Sequence, residues 1–293
     1  MRLPSIVLLC LLAMLAWSRP AQAASSYDNC AGFITSVPAV ISTAGTWCLK
    51  QDVTTAITGG TAITISADNI TLDCNDFRID GLAAGTASGA VGVGGTNVNN
   101  ARVRHCNIRG FESGVTFDGG SRNIVEDNHL DLNIRIGLEI QGDGSVARGN
   151  VILNTGSLSF SSAGSPIGIH VNDTGTTDVI DNTINGVGSQ CGDTQCGIGI
   201  LVDTNSPAGA NVVGNRIGGL PPNVPGANGI QLTSPGRVVV RENEIIGGGG
   251  KGTGVNCLFS TGGATIRVHD NVIDGFVTPI VECTDAGEND TSP

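Results

Sequence analysis

One short pattern recurs along the chain and limits what it can fold into: a β-branched run, an asparagine, a spacer residue and an isoleucine-like residue. Successive occurrences lie 22 to 33 residues apart, and the shortest spacing, 22, occurs twice. The pattern is centred on Asn75, Asn128, Asn150, Asn182, Asn215, Asn243 and Asn271, and Cys106 fills the same position once. A unit this short cannot bury its own apolar face, so consecutive units must stack to form a core.

A second signature, a glycine followed by valine, leucine or isoleucine, opens an alternating apolar and polar strand in each unit. It occurs at Gly114, Gly137, Gly168, Gly199, Gly229 and Gly254. The distance from each glycine to the next asparagine stays between 13 and 17 residues, whereas the distance from asparagine to glycine ranges from 9 to 18. The insertions therefore fall in one recurring turn. Helical periodicity is not evident, so the sequence predicts stacked coils whose equivalent strands lie ~4.8 Å apart.

These repeats resemble the right-handed parallel β-helix, or pectin-lyase-like, superfamily, which includes pectate lyases, polygalacturonases, alginate epimerases and periplasmic NosD-like proteins. The resemblance covers residues 63 to 281. It implies an all-β fold, a single-stranded right-handed parallel β-helix with an N-terminal cap. It implies little about chemistry, because this fold hosts lyases, hydrolases, epimerases, adhesins and tailspikes.

The N-terminal residues predict export. Arg2 precedes an apolar run over residues 6–17 and an A-x-A triplet at 21–23, which is typical of a secretory signal. No later stretch approaches the roughly 20 apolar residues of a membrane span. We therefore expect a secreted or periplasmic protein. The expected domains are a signal peptide over 1–23, a cap over 24–60, the β-helix over 61–283 and a disordered acidic tail over 284–293.

The cysteines predict disulfides rather than a metal site. Eight of the nine remain after signal cleavage, and an even number in an exported chain favours oxidation. Zinc is disfavoured because Cys191 and Cys196 are too far apart for C-x-x-C and no paired histidines accompany them. We expect the pairs Cys30–Cys48, Cys74–Cys106, Cys191–Cys196 and Cys257–Cys283.

The charge of the chain limits its partners. Its formal charge is −11, and cleavage of the signal removes two arginines and no acid, which makes it −13. Such a surface repels nucleic acid and anionic membranes. It also repels uronate polymers unless a divalent cation bridges the two.

The glycine-led strands project two outward rows of side chains, because every second residue of a strand faces away from the core. The first outward row is Thr116, Glu139, His170, Leu201, Gln231 and Asn256. The second outward row is Asp118, Gln141, Asn172, Asp203 and Thr233. Stacking places Glu139 beside His170.

The resemblance implies that any active site lies on this face and involves His170, because loops at the same turn form the polysaccharide cleft of the superfamily. The longest insertions, at 154–167, 186–198 and 219–228, would wall it. In this interpretation His170 is a general acid or base oriented by Glu139. The residues expected to bind sugar hydroxyls are Asp118, Gln141, Asn172, Asp203 and Gln231. Asp118 and Asp203 are also the candidates for a calcium site.

The alternative is an ordinary solvated polar face on which Glu139 and His170 form a weak pair. The outward rows contain no Lys or Arg, which a pectate-lyase-like site would require, and the clustered aspartates of polygalacturonases have no clear match. Three functions therefore stay open: a polysaccharide lyase, hydrolase or epimerase, a non-catalytic binding protein, and a NosD-like accessory protein. The oligomeric state is open as well.

A further outward row lies two residues before each asparagine position. It begins with Asp73, Arg104, Glu126 and Arg148. The alternation of charge is what neighbouring strands favour, so we interpret this row as structural support.

Overall fold

The computed structural model describes residues 27, 29–157, 164–173, 175–188, 197–204, 209–222, 226–233, 237–258 and 265–292. These residues wind into coils whose strands form three all-parallel sheets, a right-handed parallel β-helix. Within the described ranges the only helix is a 3-10 turn at Leu82–Ala84, and no helix is long and apolar enough to cross a membrane. We number the sheets 1, 2 and 3 in the order in which a complete coil visits them.

Each sheet takes one strand from almost every coil. Sheet 1 contains β1 (Cys30–Ile34), β3 (Gly45–Leu49), β6 (Ile70–Asp73), β9 (Arg102–Arg104), β12 (Ile124–Glu126), β15 (Ser145–Arg148), β18 (Thr177–Ile180), β21 (Gly209–Val213), β24 (Arg237–Arg241), β27 (Thr265–His269) and β30 (Asp285–Gly287). Sheet 2 contains β4 (Val53–Thr54), β7 (Arg78–Asp80), β10 (Asn107–Arg109), β13 (His129–Asp131), β16 (Val151–Leu153), β19 (Thr183–Asn185), β22 (Arg216–Gly218), β25 (Glu244–Ile246), β28 (Val272–Asp274) and β31 (Asp290–Ser292). Sheet 3 contains β2 (Ala39–Ile41), β5 (Thr61–Ile65), β8 (Val91–Thr96), β11 (Ser113–Asp118), β14 (Ile136–Ile140), β17 (Ile167–Asp173), β20 (Ile198–Thr204), β23 (Asn228–Leu232), β26 (Thr253–Cys257) and β29 (Thr278–Val281).

The interior is a stack of aliphatic side chains in register. On sheet 3, Val115 pairs with Leu138, Leu138 with Ile169, and Ile169 with Ile200, and all four are fully buried. Like side chains recur at the ~4.8 Å strand spacing, so each coil buries the apolar face of its neighbour. This confirms the predicted fold class.

The recurring asparagines line the turn between sheets 1 and 2. From Asn128 to Asn271 the side chains are at most 2% exposed, and each Oδ1 accepts the backbone N–H at the same position in the preceding coil. Asn289 continues the series. We call Asn128 to Asn289 the asparagine ladder. In the first of the coils that carry the sequence pattern, the ladder position is occupied by Cys74, and not by Asn75 as that pattern indicated. Cys74 forms a disulfide with Cys106 in the next coil, and their Cα atoms are 4.7 Å apart.

The glycine that recurs near the start of the sheet 3 strands β8, β11, β14, β17, β20, β23 and β26 reflects a close approach of backbones. A Cβ on Gly137 would lie 2.6 Å from the carbonyl oxygen of Gly168 and 2.6 Å from Cγ2 of Ile152. In these strands only glycine fits where the chain turns from sheet 2 into sheet 3, whereas Ala62 of β5 and Pro279 of β29 occupy the position near the ends of the stack. The turn therefore delivers the following outward residue at the same height in every coil.

Three of the expected disulfides are confirmed: Cys30–Cys48, Cys74–Cys106 and Cys257–Cys283. Cys191 and Cys196 lie outside the described residues, as does the expected signal peptide. Those two expectations stay predictions.

The N-terminal segment, over which we expect a cap at 24–60, already contributes strands to the sheets, and the cap itself stays a prediction. Its strands β1 to β4 belong to the three sheets, so the first coils of the β-helix already lie here. Trp47 packs against the core from inside sheet 1, with its ring beneath Gly32. A Cβ on Gly32 would lie 2.4 Å from that ring, so the small residue makes room for an indole that covers the end of the core.

The C-terminal segment corrects the expected disordered tail over 284–293. Residues Asp285–Gly287 and Asp290–Ser292 form β30 and β31, which pair with β27 and β28. The physical reason is Asn289, whose Oδ1 accepts the backbone N–H of Asn271 at 3.1 Å. Ladder hydrogen bonds order this segment although it lacks large apolar side chains.

Candidate functional site

The outer face of sheet 3 carries the two outward rows in the predicted register. Thr116 pairs with Glu139, Glu139 with His170, and His170 with Leu201. Leu201 in turn pairs with Gln231, and Gln231 with Asn256. The first outward row is therefore continuous along the helix axis, because β11, β14, β17, β20, β23 and β26 are hydrogen-bonded neighbours.

Glu139 and His170 form a half-buried pair at the centre of this face. Nδ1 of His170 lies 3.3 Å from Oε1 of Glu139, and the side chains are 14% and 22% exposed respectively. The geometry is not that of a hydrogen bond, and within the described residues neither ring nitrogen has a hydrogen-bond partner. The contact is therefore longer or less well aligned than a full hydrogen bond, and Nε2, on the other side of the ring, has no partner among the described residues.

The pKa of Glu139 lies below its ordinary value. The interaction with His170 contributes most, burial acts in the opposite direction, and the charge of Arg135 and the amide of Asn172 lower the pKa further. Glu139 is thus held as a carboxylate beside an imidazole. Such a pair can orient the ring and stabilise its protonated form during proton transfer.

Arg135 is a neighbour that the sequence reasoning missed. It stands before β14, so it belongs to neither outward row, yet its charge lowers the pKa of Glu139. Its Nε donates to Oε1 of Glu112 at 2.9 Å. The signal was present in the sequence, since Glu112 and Arg135 each precede a strand-opening glycine by two residues. The face therefore has a cation beside it, although that cation already has a carboxylate partner.

The second outward row brings Asn172 beside Asp203. Asp118 lies on β11, where it pairs with Thr96, and Gln141 directly follows β14. Asp118 and Asp203 are separated by three coil steps, about 14 Å, so they cannot coordinate the same ion. No group of three or more His, Cys, Asp or Glu side chains suited to a metal occurs in the described part of the chain. Asp118 and Asp203 therefore do not form a calcium site together.

Gln231 lies two coils beyond His170 in a separate amide cluster. Its Oε1 accepts from Nδ2 of Asn228 at 2.7 Å, and Oδ1 of Asn228 accepts from Nδ2 of Asn256 at 3.3 Å. Gln231 therefore does not contact His170. It extends the polar surface along the same axis.

Buried polar atoms without partners concentrate on this face. Six such side-chain atoms occur among the described residues, and five belong to the two outward rows of sheet 3. The five are Oγ1 of Thr116, Nδ1 and Nε2 of His170, Oγ1 of Thr233 and Oδ1 of Asn256. A buried polar group without a hydrogen bond costs about 1–3 kcal/mol and calls for an explanation.

A small apolar cluster borders the pair on the outer side of the sheet. Ile136, Ile167 and Ile198 are buried together, apart from the main core, and Leu201 packs against them. The cluster lowers the polarity around Glu139 and His170, which strengthens their interaction. Residues 158–163, 189–196 and 223–225 of the insertions expected to wall this face are outside the described ranges, so the walls stay a prediction.

A family model described as "right handed beta helix region" matches residues 41–217, more than half of the chain. A comparison with curated proteins finds no match.

The solved structures that this chain resembles are distant in sequence. The A-module of the mannuronan C-5 epimerase AlgE4 of Azotobacter vinelandii is 14% identical over 87% of this chain and 85% of that one, with a TM-score of 0.47. The DFA-IIIase of Arthrobacter chlorophenolicus A6 without its lid is 11% identical over 83% and 74%, with a TM-score of 0.39. The Dettilon tailspike protein is 14% identical over 80% and 60%, with a TM-score of 0.32. These similarities concern the fold alone.

Proposed function

Because the chain belongs to the right-handed β-helix family, we propose that it is an exported protein that binds a polysaccharide along the outer face of sheet 3. His170 and Glu139 would lie at the centre of the contact. The observation that carries the proposal is the concentration of unpartnered buried polar atoms in the two outward rows. The hydroxyl groups of a sugar both donate and accept, so they would pair with these atoms once the side chains that cover them move aside on binding.

The shape of the polar surface favours a linear ligand. Thr116 and Asn256 are five coil steps apart, about 24 Å along the axis. The unpartnered atoms are spread over that length and do not converge on one point. Several consecutive sugar units lying parallel to the helix axis would satisfy them, whereas a compact molecule would not.

The charge of the face favours a neutral polymer. Asp118, Glu139 and Asp203 lie in the outward rows, and Arg135, whose charge acts on Glu139, is paired with Glu112. A uronate chain would meet repulsion here. A bound cation could relieve this repulsion, but the described residues contain no group of three side chains suited to bind one.

In the catalytic version of the proposal, His170 transfers a proton to or from the sugar while Glu139 orients the ring. This would suit a lyase, a hydrolase or an epimerase. A general base or acid must come within hydrogen-bond reach of its substrate. Because both ring nitrogens of His170 are buried, a second candidate is a non-catalytic protein of the NosD-like accessory type.

The location of the protein is part of the proposal. Three disulfides are consistent with an oxidising compartment, such as the periplasm or the extracellular space. The export signal at 1–23 stays a prediction, which the N-terminal sequence of the secreted protein would test.

The experiment is a panel of neutral and uronate polysaccharides, with retention on insoluble polymer, release of reducing ends and ultraviolet absorbance of unsaturated products measured in parallel. Wild type is compared with His170→Ala and with Thr183→Ala, an exposed control on sheet 2. We expect retention on a neutral polymer that His170→Ala weakens and Thr183→Ala leaves unchanged. Product formation lost only in His170→Ala would establish the catalytic version, and retention without product would establish the binding protein. No retention and no product on any polymer would refute the proposal.

A further inference from the structure

A cavity of about 240 Å³ opens on the outer face of sheet 2, around β7, β10 and β13. The outward rows that contain His170 lie on sheet 3, so this cavity belongs to a different sheet. We call the outer side of sheet 3 that carries these rows the His170 face. Seven of the cavity's eight lining residues have charged or polar side chains and the eighth is Ile108, although carbon atoms form more of the exposed wall than nitrogen and oxygen do. The side chains that define it are Asp52, Arg78, Asn107, Arg109, His129 and Asp131.

The two arginines of this cavity already have carboxylate partners. Nη2 of Arg78 lies 2.7 Å from Oδ2 of Asp52, and Nη2 of Arg109 lies 2.6 Å from Oδ2 of Asp80. Hydrogen bonds from the backbone and side chain of Arg78 lower the pKa of Asp52, against the effect of burial, which keeps this carboxyl ionised. The guanidinium groups are therefore held in place and partly neutralised, so they do not require an anion.

Two further aspartates give the cavity a net negative character. Asp76 and Asp131 line it without an arginine of their own, and Oδ1 of Asp131 accepts from Nδ2 of Asn154 at 2.9 Å. Carboxylates outnumber guanidinium groups around the cavity, so an anionic ligand would be repelled. A metal ion is disfavoured too, because no group of three metal-ligating side chains occurs in the described residues.

His129 adds an imidazole to the wall of the cavity. It lies between Asn107 and Val151 on the outer face, and its ring makes no hydrogen bond or ion pair with another described residue. Around one small space the cavity therefore offers carboxylate acceptors, guanidinium donors and an imidazole. This combination suits the hydroxyl groups of a sugar, each of which donates and accepts.

We infer that this cavity is a second saccharide site, which holds a single neutral sugar residue on sheet 2. Its volume is smaller than the ~300–1,000 Å³ typical of pockets for drug-sized ligands, which favours one ring over an oligosaccharide. The choice of sugar as the ligand class rests on the proposed function. The location does not, because the cavity shares no residue with the His170 face.

The test is calorimetric titration of the full-length mature protein with the methyl glycosides of glucose, galactose and mannose, with glucuronic acid as the charged comparison. A ligand of this size in an open site should bind with a Kd of about 1 mM. We expect saturable binding of at least one neutral glycoside and weaker binding of glucuronic acid. His129→Ala and Asp131→Asn should each lower the affinity about tenfold.

Two controls separate this proposal from the sheet 3 proposal. Thr183→Ala lies in the same outward row of sheet 2 as His129 but outside the cavity, and it should bind like wild type. His170→Ala should bind the monosaccharide normally even if it loses polysaccharide retention. Thermal unfolding of each variant checks that it is folded.

Three results would overturn the inference. One is no saturable binding of any glycoside, and another is equal binding by wild type and both cavity variants. The third is loss of binding in His170→Ala alone, which would assign the sugar to sheet 3. Polysaccharide retention could fail in the earlier experiment while this titration succeeds, so the two proposals can be refuted separately.

Discussion

The asparagine ladder and the first outward row of sheet 3 are both polar rows that run along the helix axis, and they differ in how their polar groups are satisfied. In the ladder, Nδ2 of Asn182 donates to the carbonyl oxygen of Ala147 at 3.0 Å and to Oδ1 of Asn215 at 3.0 Å. Its Oδ1 accepts the backbone N–H of Asn150 at 3.0 Å. In the outward row, both ring nitrogens of His170 are buried without a hydrogen bond among the described residues.

The difference follows from repetition. One residue type repeated at the coil spacing places each amide donor against the acceptor of its neighbour, so the ladder needs nothing else. The outward row mixes threonine, glutamate, histidine, leucine, glutamine and asparagine, and most of these do not complement their neighbours. Buried polar groups left without partners in this way would gain hydrogen bonds from a ligand that displaced the side chains covering them. The ladder therefore maintains the structure, and the outward row is where we expect binding.

The largest expected effect is on the ladder. Asn182→Ala leaves the backbone N–H of Asn150 and the carbonyl of Ala147 buried without partners, which should lower the free energy of unfolding by about 3 kcal/mol or more. Urea denaturation would measure it. The control is Asn211→Ala in the next coil, where an exposed amide is removed and the change should stay within about 0.5 kcal/mol. Equal effects from the two variants would contradict the role given to the ladder.

A smaller loss is expected from the charged row of sheet 1. The carboxylate of Glu126 is only 6% exposed and bridges Arg102 at 2.8 Å and Arg148 at 2.5 Å. Burial raises the pKa of Glu126, but the two arginines more than offset this and hold it below its ordinary value. Glu126→Gln should destabilise the protein by about 1–2 kcal/mol, since both arginines are partly exposed. A neutral result in urea denaturation would show that this row is dispensable.

His170→Ala should change stability little while it weakens polysaccharide binding. The substitution removes packing but also removes two unpartnered buried nitrogens, so the free energy of unfolding should change by less than about 1 kcal/mol. Denaturation and polymer retention measured on the same preparation would check both parts. A loss as large as that of Asn182→Ala would make His170 a structural residue and remove the contrast between the two rows.

The smallest effect is a shift in titration. The pKa of Glu139 is lowered in the folded protein, so the stabilisation it contributes is complete above its unfolded pKa of about 4.3 and disappears as the pH falls through the lower folded value. His170→Ala removes the largest cause, so the pKa of Glu139 should rise. Carbon-13 NMR of the glutamate carboxyl groups in the two proteins would detect it. Identical titration curves would mean that the 3.3 Å contact has no energetic consequence.

Particular residues show how far the sequence could be used for prediction. Glu139 and His170 could be aligned because both follow a strand-opening glycine by two residues, and a parallel stack transfers that alignment directly into contact. The pairing of Cys74 with Cys106 followed from the same coil spacing, although the asparagine position was misassigned by one residue. Arg135 was missed because it lies outside the strand, where the alternation of inward and outward side chains no longer applies.

The sequence by itself determined the architecture and the register of the sheet 3 face, and it suggested the three described disulfides without fixing their connectivity. The reason is that a repeat carries the same local geometry from coil to coil. Only the tertiary structure decided which polar groups find partners, because partners come from coils and turns far apart in the chain. It ordered residues 285–292 through the ladder, placed Trp47 beneath Gly32, and assembled the sheet 2 cavity from four coils. No periodic pattern in the sequence predicts these contacts, because each depends on the distances between particular side chains after the coils have stacked.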